Sequence, residues 1–408
     1  LATVGVKRWI GTAPLDEDRF CQNFRSAQSK RGVRGQKYMV FLKTSCKMQN
    51  ETGAVLTPLM NTLKAMPKLW EDTMKMKLTR RFTMAATCAV AAIVGSASYA
   101  DDHLVQLRLS AAGSETDQRS VAMAEVFGPA VSGFASYEPS YNATLFAQGT
   151  ELEAISRGNL EMSITSAQEL AQFFPEFSIF GTGYVHQDAA HQVRVFNDPL
   201  MDPFKQKVEN QLGVKLLSVM YLGRRHVNLR QCRDELDVQT PADLAGVNLR
   251  MPGTDAWQFL GAALGASPTP LAFTEVYTAL STGAVDGQDN PLPTVVDRKF
   301  YEVTCQIALT SHLVDLNYIA ISAEVFNGLE PDQQLTVQRA ADAAASVGRL
   351  RQLELENNLA AFIEQNGVEV YDPDLTAFRE HVQAQYVGSE FAASWPEGVL
   401  ERINALGN

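Results

Sequence analysis

The chain has 408 residues, and its 35 Lys+Arg against 46 Asp+Glu give a formal net charge of −11. The charge is unevenly spread: residues 101–408 hold 19 basic and 40 acidic side chains, a net charge of −21. A surface of that sign repels nucleic acid and anionic lipid, so neither is an expected partner, and an anionic ligand would have to be held by local cations.

Residues 1–73 begin with Leu1 and carry 12 Lys+Arg against 6 Asp+Glu. They read as a disordered upstream extension, or as the product of a start placed too early, with Met74 or Met76 as the true beginning. Residues 74–100 read as a signal peptide. Lys75, Lys77, Arg80 and Arg81 form a basic n-region, Met84 to Val94 an apolar run, and Ser98-Tyr99-Ala100 places small residues at the two positions a signal peptidase reads. The apolar run is well short of the roughly 20 residues that span a bilayer. The expectation is export to the periplasm with cleavage near Ala100, by the general route or, given Arg80-Arg81, the twin-arginine route.

The 308 residues that follow exceed one ordinary core, so two domains are expected. Leu104–Leu109 alternates apolar and polar and predicts a strand. Ser120–Val131 predicts a helix, Ser136–Leu145 a strand, Leu152–Arg157 a helix ended by Gly158, and Leu160–Ile164 a third strand. That β-α-β-α-β order signals a parallel sheet with helices on its faces. Val214–Val219 is a further strand. The pattern then restarts: strands at His226–Leu229 and Val247–Met251, a helix start at Thr240-Pro241, helices at Asp255–Leu264 and Phe273–Thr282, and a short strand at Val285-Asp286-Gly287. The crossover between the two units falls near Tyr221–Arg225.

Asn317–Ser322 predicts a late strand. Pro331 to Asn366 then predicts one long helix, with Pro at its start and Gly367 past its end. Its length would be about 54 Å, more than the roughly 30 Å of a small domain, so it should brace both units, with Gly348 as a possible bend.

Of the five cysteines, only Cys232 and Cys305 lie beyond the signal segment. An even pair in an oxidising compartment predicts one disulfide; two buried thiols are the alternative. Motifs of nucleophilic, phosphate-binding, dinucleotide and zinc chemistry do not occur, and His103, His186, His191, His226, His312 and His381 are scattered. No cofactor or metal is expected.

One constellation carries chemistry. Arg250 ends a predicted strand just before a helix, where ligands of open α/β sheets bind. Its guanidinium can fork onto a carboxylate. Asn290 ends a second strand within Asp286-Gly287-Gln288-Asp289-Asn290-Pro291, and Phe273 opens the intervening helix. Singly, Arg250 could be a surface ion pair, Asn290 a turn residue and Phe273 a core side chain.

Arg250-Met251-Pro252-Gly253, the run from Leu264 through Phe273-Thr274-Glu275-Val276-Tyr277 to Asp286-Gly287-Gln288-Asp289-Asn290-Pro291, then Phe300-Tyr301-Glu302-Val303 and Thr310-Ser311-His312, resemble the signature of TRAP solute-binding proteins. These are the periplasmic receptors of tripartite ATP-independent transporters. The resemblance spans essentially all of residues 101–408. It implies an α/β, two-lobed periplasmic binding protein fold, type II-like, with hinge strands and a long helix bracing both lobes. Residues 101–224 with part of 305–345 would form one lobe. Residues 225–304 with part of 346–408 would form the other, and 331–366 the brace. It implies that Arg250 binds a ligand carboxylate, that Asn290 adds a hydrogen bond and that Phe273 packs on the ligand. A second ligand arginine falls on Arg225, with Arg230 the alternative by raw spacing because Gln231–Asp237 looks inserted. Ser166, its neighbour Thr165, and Tyr184 are candidate contacts from the first lobe, and Trp257 a further aromatic one. The implied function is capture of a small organic carboxylate by hinge closure and delivery to TRAP membrane subunits, by a monomer that is not an enzyme. A receptor feeding a signalling system and an exported enzyme acting on a carboxylic acid are the rival readings.

Overall fold

The structure, a computed structural model, describes residues 104–407. The upstream extension 1–73 and the signal segment 74–100 lie outside the described residues.

The strands are β1 (Val105–Ser110), β2 (Ala135–Ser140), β3 (Met162–Ser166), β4 (Val214–Leu229), β5 (Asn248–Met251), β6 (Ser267–Pro270), β7 (Gly287–Asn290), β8 (Gln306–Ser322) and β9 (Glu369–Tyr371). They form one sheet in the order β2-β1-β3-β8-β4-β7-β5-β6, with β9 paired to β8. β2, β1 and β3 run parallel at one end, and β6, β5 and β7 run parallel at the other. Each trio is a β-α-β-α-β unit; the first has the expected strands, whereas the second is built on β5, β6 and β7 and does not include His226–Leu229, which belongs to β4.

The two units are joined by β4 and β8, which pair antiparallel from Val214↔Ser322 to Leu229↔Gln306. The sequence reading separated Val214–Val219 from His226–Leu229, and it found only Asn317–Ser322 of β8. The structure instead threads single strands of 16 and 17 residues through both lobes. Register shifts at Leu216/Ser218, Tyr221/Gly223 and Arg225/Val227 absorb the change of direction. Bulges bend and twist a strand without ending it, so the polar Gly223-Arg224-Arg225 reads as a break in sequence and is a bulged stretch in space. Ser136–Leu145 is shorter than expected, ending at Ser140, and Val285–Gly287 shifts to Gly287–Asn290. β6, unforeseen, reads Ser-Pro-Thr-Pro; its prolines are tolerated because it lies at the sheet edge, where no ladder donor is needed.

Cores sit on both faces of each lobe. In the first, Phe177, Phe180, Phe204 and Tyr318 pack edge to face on one side, and Leu107, Leu109, Phe127, Ile319 and Ile321 fill the other. In the second, Leu249, Met251, Leu260 and Phe378 lie on one side, and Val276, Leu280, Phe300 and Ile307 on the other. The C-terminal helix Val399–Leu406 returns to the first lobe through Ile403, whose carbonyl meets His191 Nε2 at 2.8 Å. His186 and His191 do not diverge along one helix as their spacing suggests. His186 precedes the helix Ala189–Asn197, and the two rings meet edge to face with centroids 5.3 Å apart.

The long helix Pro331–Gln365 is continuous. Its Val337, Ala340, Ala341 and Ala344 join the first-lobe core, and Ile363 joins the second. Gly348 is a point of close approach: a Cβ there would lie 3.3 Å from Ala122 Cβ and from Met220 Cε. Past it, Gln352 bonds to the Leu222 carbonyl, and Glu356 accepts from Tyr221 Oη and Arg224 N, both at 2.6 Å. The brace therefore grips the β4 bulge itself. Cys232 and Cys305 form a disulfide that ties the Gln231–Asp237 segment to the start of β8. Among the described residues no helix is long and apolar enough to cross a membrane.

Candidate functional site

The carboxyl ends of β1, β3, β5 and β7 point toward the crossing of β4 and β8. There a cleft of about 690 Å³ of atom-free space, part of it open to solvent, lies between the lobes. Six of the predicted site residues line it: Arg250, Asn290, Arg225, Phe273, Ser166 and Trp257.

Arg250, on β5, is 1% exposed. Its Nε and Nη2 donate to the Leu271 carbonyl at 2.9 and 2.7 Å. Nη1 has no hydrogen-bond partner among the described residues, and no carboxylate pairs with the side chain. Burial pulls its pKa down to about 9, against a weak opposing pull from Asp289. A buried guanidinium with a free N–H edge and no counter-ion is a site for an anion. Phe273 stacks nearby, its ring 5.8 Å from the Arg250 Cζ and 4.6 Å from that of Arg298. Asn290, at the end of β7, donates from Nδ2 to Gln288 Oε1 at 2.5 Å. That bond fixes the amide and leaves one N–H and the carbonyl oxygen for the cleft.

Arg225 is differently placed. Its Nε and Nη2 fork onto Asp289 at 2.7 and 2.9 Å, and Nη1 reaches Asp315 at 2.8 Å. Its Cζ lies 4.5 Å from the Trp257 ring centroid. The expectation of a second cation free for ligand thus meets one already neutralised by two buried carboxylates. Arg230 is not a lining residue; it extends past the end of β4, with its backbone N–H on the Asp286 carbonyl.

Thr165 and Tyr184 lie outside the cleft. Thr165 Oγ1 donates to Glu169 Oε2 at 2.9 Å, because its neighbour Ser166, one residue along the strand, takes the cleft-facing position. Tyr184 packs in the second-lobe core, with its hydroxyl on the Thr310 carbonyl at 2.8 Å and its N–H on the His312 carbonyl.

Sequence reasoning missed Arg119, Glu151, Glu169, Asp315 and Asn317, which also line the cleft. Arg119 is held by Asp117 at 2.9 and 2.6 Å and touches Asn317 through Nη1. It lies in the helix Gln118–Ala122, eight residues or more past the end of β1, so no strand end marks it in the sequence. Asp315 lies mid-strand in a sequence that offers no such landmark.

The family profile of bacterial extracellular solute-binding proteins, family 7, matches residues 113–392, and the chain belongs to this family. The chain is 75% identical to a TRAP periplasmic solute binding protein of Roseobacter denitrificans solved with bound 3-deoxy-D-manno-oct-2-ulosonic acid (KDO). That match covers 74% of this chain and 100% of the other, with a TM-score of 0.74. A second Roseobacter denitrificans receptor, solved with bound L-galactonate, is 25% identical over 74% of this chain and 99% of its own, with a TM-score of 0.67. The sialic acid-binding periplasmic protein SiaP of Vibrio cholerae is 28% identical over 62% of this chain and 77% of its own length. The matched proteins are solute-binding receptors, and the two-lobed TRAP receptor fold is that of this chain.

Proposed function

We propose that the cleft captures a polyhydroxylated sugar acid of the 2-keto-3-deoxy class, with KDO as its representative, and hands it to the membrane subunits of a TRAP transporter. One observation carries this reading: Arg250 is buried in the cleft with a free N–H edge and no carboxylate partner. The ligand carboxylate supplies the missing counter-ion. Asn290 adds a hydrogen bond, Phe273 and Trp257 cover the apolar face of the carbon chain, and Ser166 contributes from the first lobe. Arg225 acts as a positioning residue that holds β4, β7 and β8 together beneath the ligand. The 75% identity to a KDO-bound receptor supports the choice of class.

Capture proceeds by closure of one lobe, residues 101–224 with part of 305–345, on the other, residues 225–304 with part of 346–408. The β4 bulge is the hinge and 331–366 the brace. Charge-assisted bonds contribute about 1.5–3 kcal/mol each, so two or three with apolar packing reach the roughly 8 kcal/mol of a micromolar ligand. The protein works as a monomer in the periplasm after removal of the segment ending near Ala100, and it binds its ligand without turning it over.

Denaturing protein purified from its native host and identifying the released acid by mass spectrometry tests the ligand class. Calorimetry with KDO tests the ligand itself. Binding of KDO no tighter than millimolar, with a different acid released, would overturn the assignment.

A further inference from the structure

Two carboxyl groups on the first-lobe wall of the cleft, Glu151 buried and Glu169 half-buried, take no part in the binding scheme above. Glu151 opens the helix Glu151–Ser156, and Glu169 lies in the turn that follows β3. Each spends one oxygen on the protein. Glu151 Oε2 accepts from Gly149 N at 2.7 Å, and Glu169 Oε2 accepts from Ser166 N at 2.8 Å and Thr165 Oγ1 at 2.9 Å. The second oxygen of each makes no hydrogen bond, and neither group has an ion-pair partner among the described residues. Both line the same cleft as Arg250.

We propose that Glu151 and Glu169 together form a shared-proton subsite that reads the hydroxyl groups of the captured acid and makes its capture depend on pH. The inference rests on the cleft being the carboxylate site described above. Two carboxylates that line one cleft, neither with a cation of its own, disfavour each other's ionised form, the more so in a cavity that also takes an anion. With one proton between them, the pair presents an O–H donor and free acceptor oxygens. That set matches a hydroxyl group, which both donates and accepts. Burial, then the neighbouring Glu169, pushes Glu151 up to about 8. Burial also raises Glu169 against its hydrogen bonds to Ser166 and Thr165.

Other charged groups face the same space: Arg119 from the helix after β1, Arg225 from β4, Arg250 from β5 and Asp315 from β8. Arg119 and Arg225 are neutralised by Asp117, Asp289 and Asp315. Asp315 is pushed up by burial against the pull of Arg225, and it adds to the repulsion on Glu169. Burial lowers Arg250 as well, but a guanidinium keeps its charge at neutral and mildly alkaline pH, so it holds the anion throughout the range.

Calorimetric titration with KDO and L-galactonate from pH 6 to pH 9 tests the subsite, using wild type and Glu151→Gln. In wild type the Kd stays flat below pH 7.5 and then weakens by up to about tenfold per pH unit, the limit for loss of one required proton. Glu151→Gln keeps a donor and an acceptor in place, and it retains Arg250. It weakens binding at pH 7 severalfold, and most of its alkaline fall disappears. Glu151→Ala weakens binding at pH 7 by a further tenfold or more, and it cannot restore the profile. A flat wild-type profile with KDO or L-galactonate bound overturns this inference and leaves the carboxylate reading standing. So does an alkaline fall in Glu151→Gln as steep as in wild type. Failure of wild type to bind either acid at pH 6–7 overturns the carboxylate reading and the subsite with it.

Discussion

Arg225 and Asp289 meet as a two-pronged ion pair inside the sheet, with Nε and Nη2 at 2.7 and 2.9 Å from the carboxylate oxygens and both residues almost wholly buried. The pair joins β4 to β7 across the first strands of the hinge, and Asp315 on β8 extends it to a third strand. His312 Nε2 adds a fourth member, 3.1 Å from Asp289 Oδ2. Burial alone would raise the Asp289 pKa, but Arg225 and His312 outweigh it and bring it to about 2.

Asp289 therefore supplies stability that is complete above the ordinary aspartate value near 3.8 and is lost as pH falls through about 2. Asp289→Asn leaves the guanidinium short of a charge in a dry site. Breaking a buried pair from one side costs about 3–5 kcal/mol. Urea denaturation at pH 7 should show a deficit of that size, and the gap to wild type should narrow between pH 4 and pH 2. A deficit that does not change with pH would assign the loss to packing.

Arg250 predicts the opposite balance. Its charge is buried without a partner, so it costs stability in the free protein and is repaid only by ligand. Arg250→Met should abolish detectable KDO binding, a loss of at least about 100-fold for removal of the charge-assisted bonds. In the same protein without ligand, the thermal midpoint should stay level or rise. A midpoint that falls by several degrees would place Arg250 among the structural ion-pair residues.

The parts of this fold that were legible in the sequence are those written locally. The first β-α-β-α-β unit follows from short-range alternation, the second only in part because β6 is a proline-rich edge strand without that pattern, and Pro331 and Gly367 bracket the long helix within one or two residues of its observed ends. Arg250 and Asn290 were findable because they end strands. What was illegible depends on contacts between distant segments. β4 and β8 look broken because bulges carry polar residues through a hinge. Arg225 looks like a free cation because nothing in the sequence near it announces Asp289 and Asp315, 64 and 90 residues away. Tyr184 is a candidate through the resemblance alone, and the partner of its hydroxyl, the Thr310 carbonyl, belongs to the distant β8.

Gly223 is a second feature of the hinge with a direct consequence. Its φ of +133° is open to glycine and strained for other residues. A Cβ there would lie 2.5 Å from Pro291 Cβ and 2.6 Å from Glu356 Oε1. Gly223→Ala should therefore separate the brace from the bulge, at a cost of more than about 2 kcal/mol from combined strain and lost contacts. Hydrogen exchange at Arg224, whose N–H is held by Glu356, should rise ahead of the lobe cores. Unchanged protection at Arg224 would show that the Glu356 contact survives the added methyl group.

Hydrogen bonds beside the cleft join one lobe to the other, and the proposed opening would break them. Ser114 Oγ donates to Asp297, with the two carboxylate oxygens 2.9 and 2.8 Å away, and Thr116 Oγ1 donates to the same group. Arg298 reaches back from the second lobe to the Ala112 carbonyl at 3.0 Å and to Asn142 at 2.8 Å. Gln148 Oε1 accepts from Phe273 N at 3.1 Å. None of these groups needs to touch the ligand to affect it, because they stabilise the ligand-enclosing arrangement over the open one, and apparent affinity follows that population. Asp297→Ala removes two of the bonds at a partly exposed site, worth about 1–2 kcal/mol together. The expected result is a KDO dissociation rate about tenfold faster, with an association rate within about twofold of wild type. Stopped-flow fluorescence of Trp257, which lines the cleft against Arg225, reads both rates directly. An unchanged dissociation rate would mean that closure is governed by the ligand and the hinge alone, and that the rim bonds merely exchange with water.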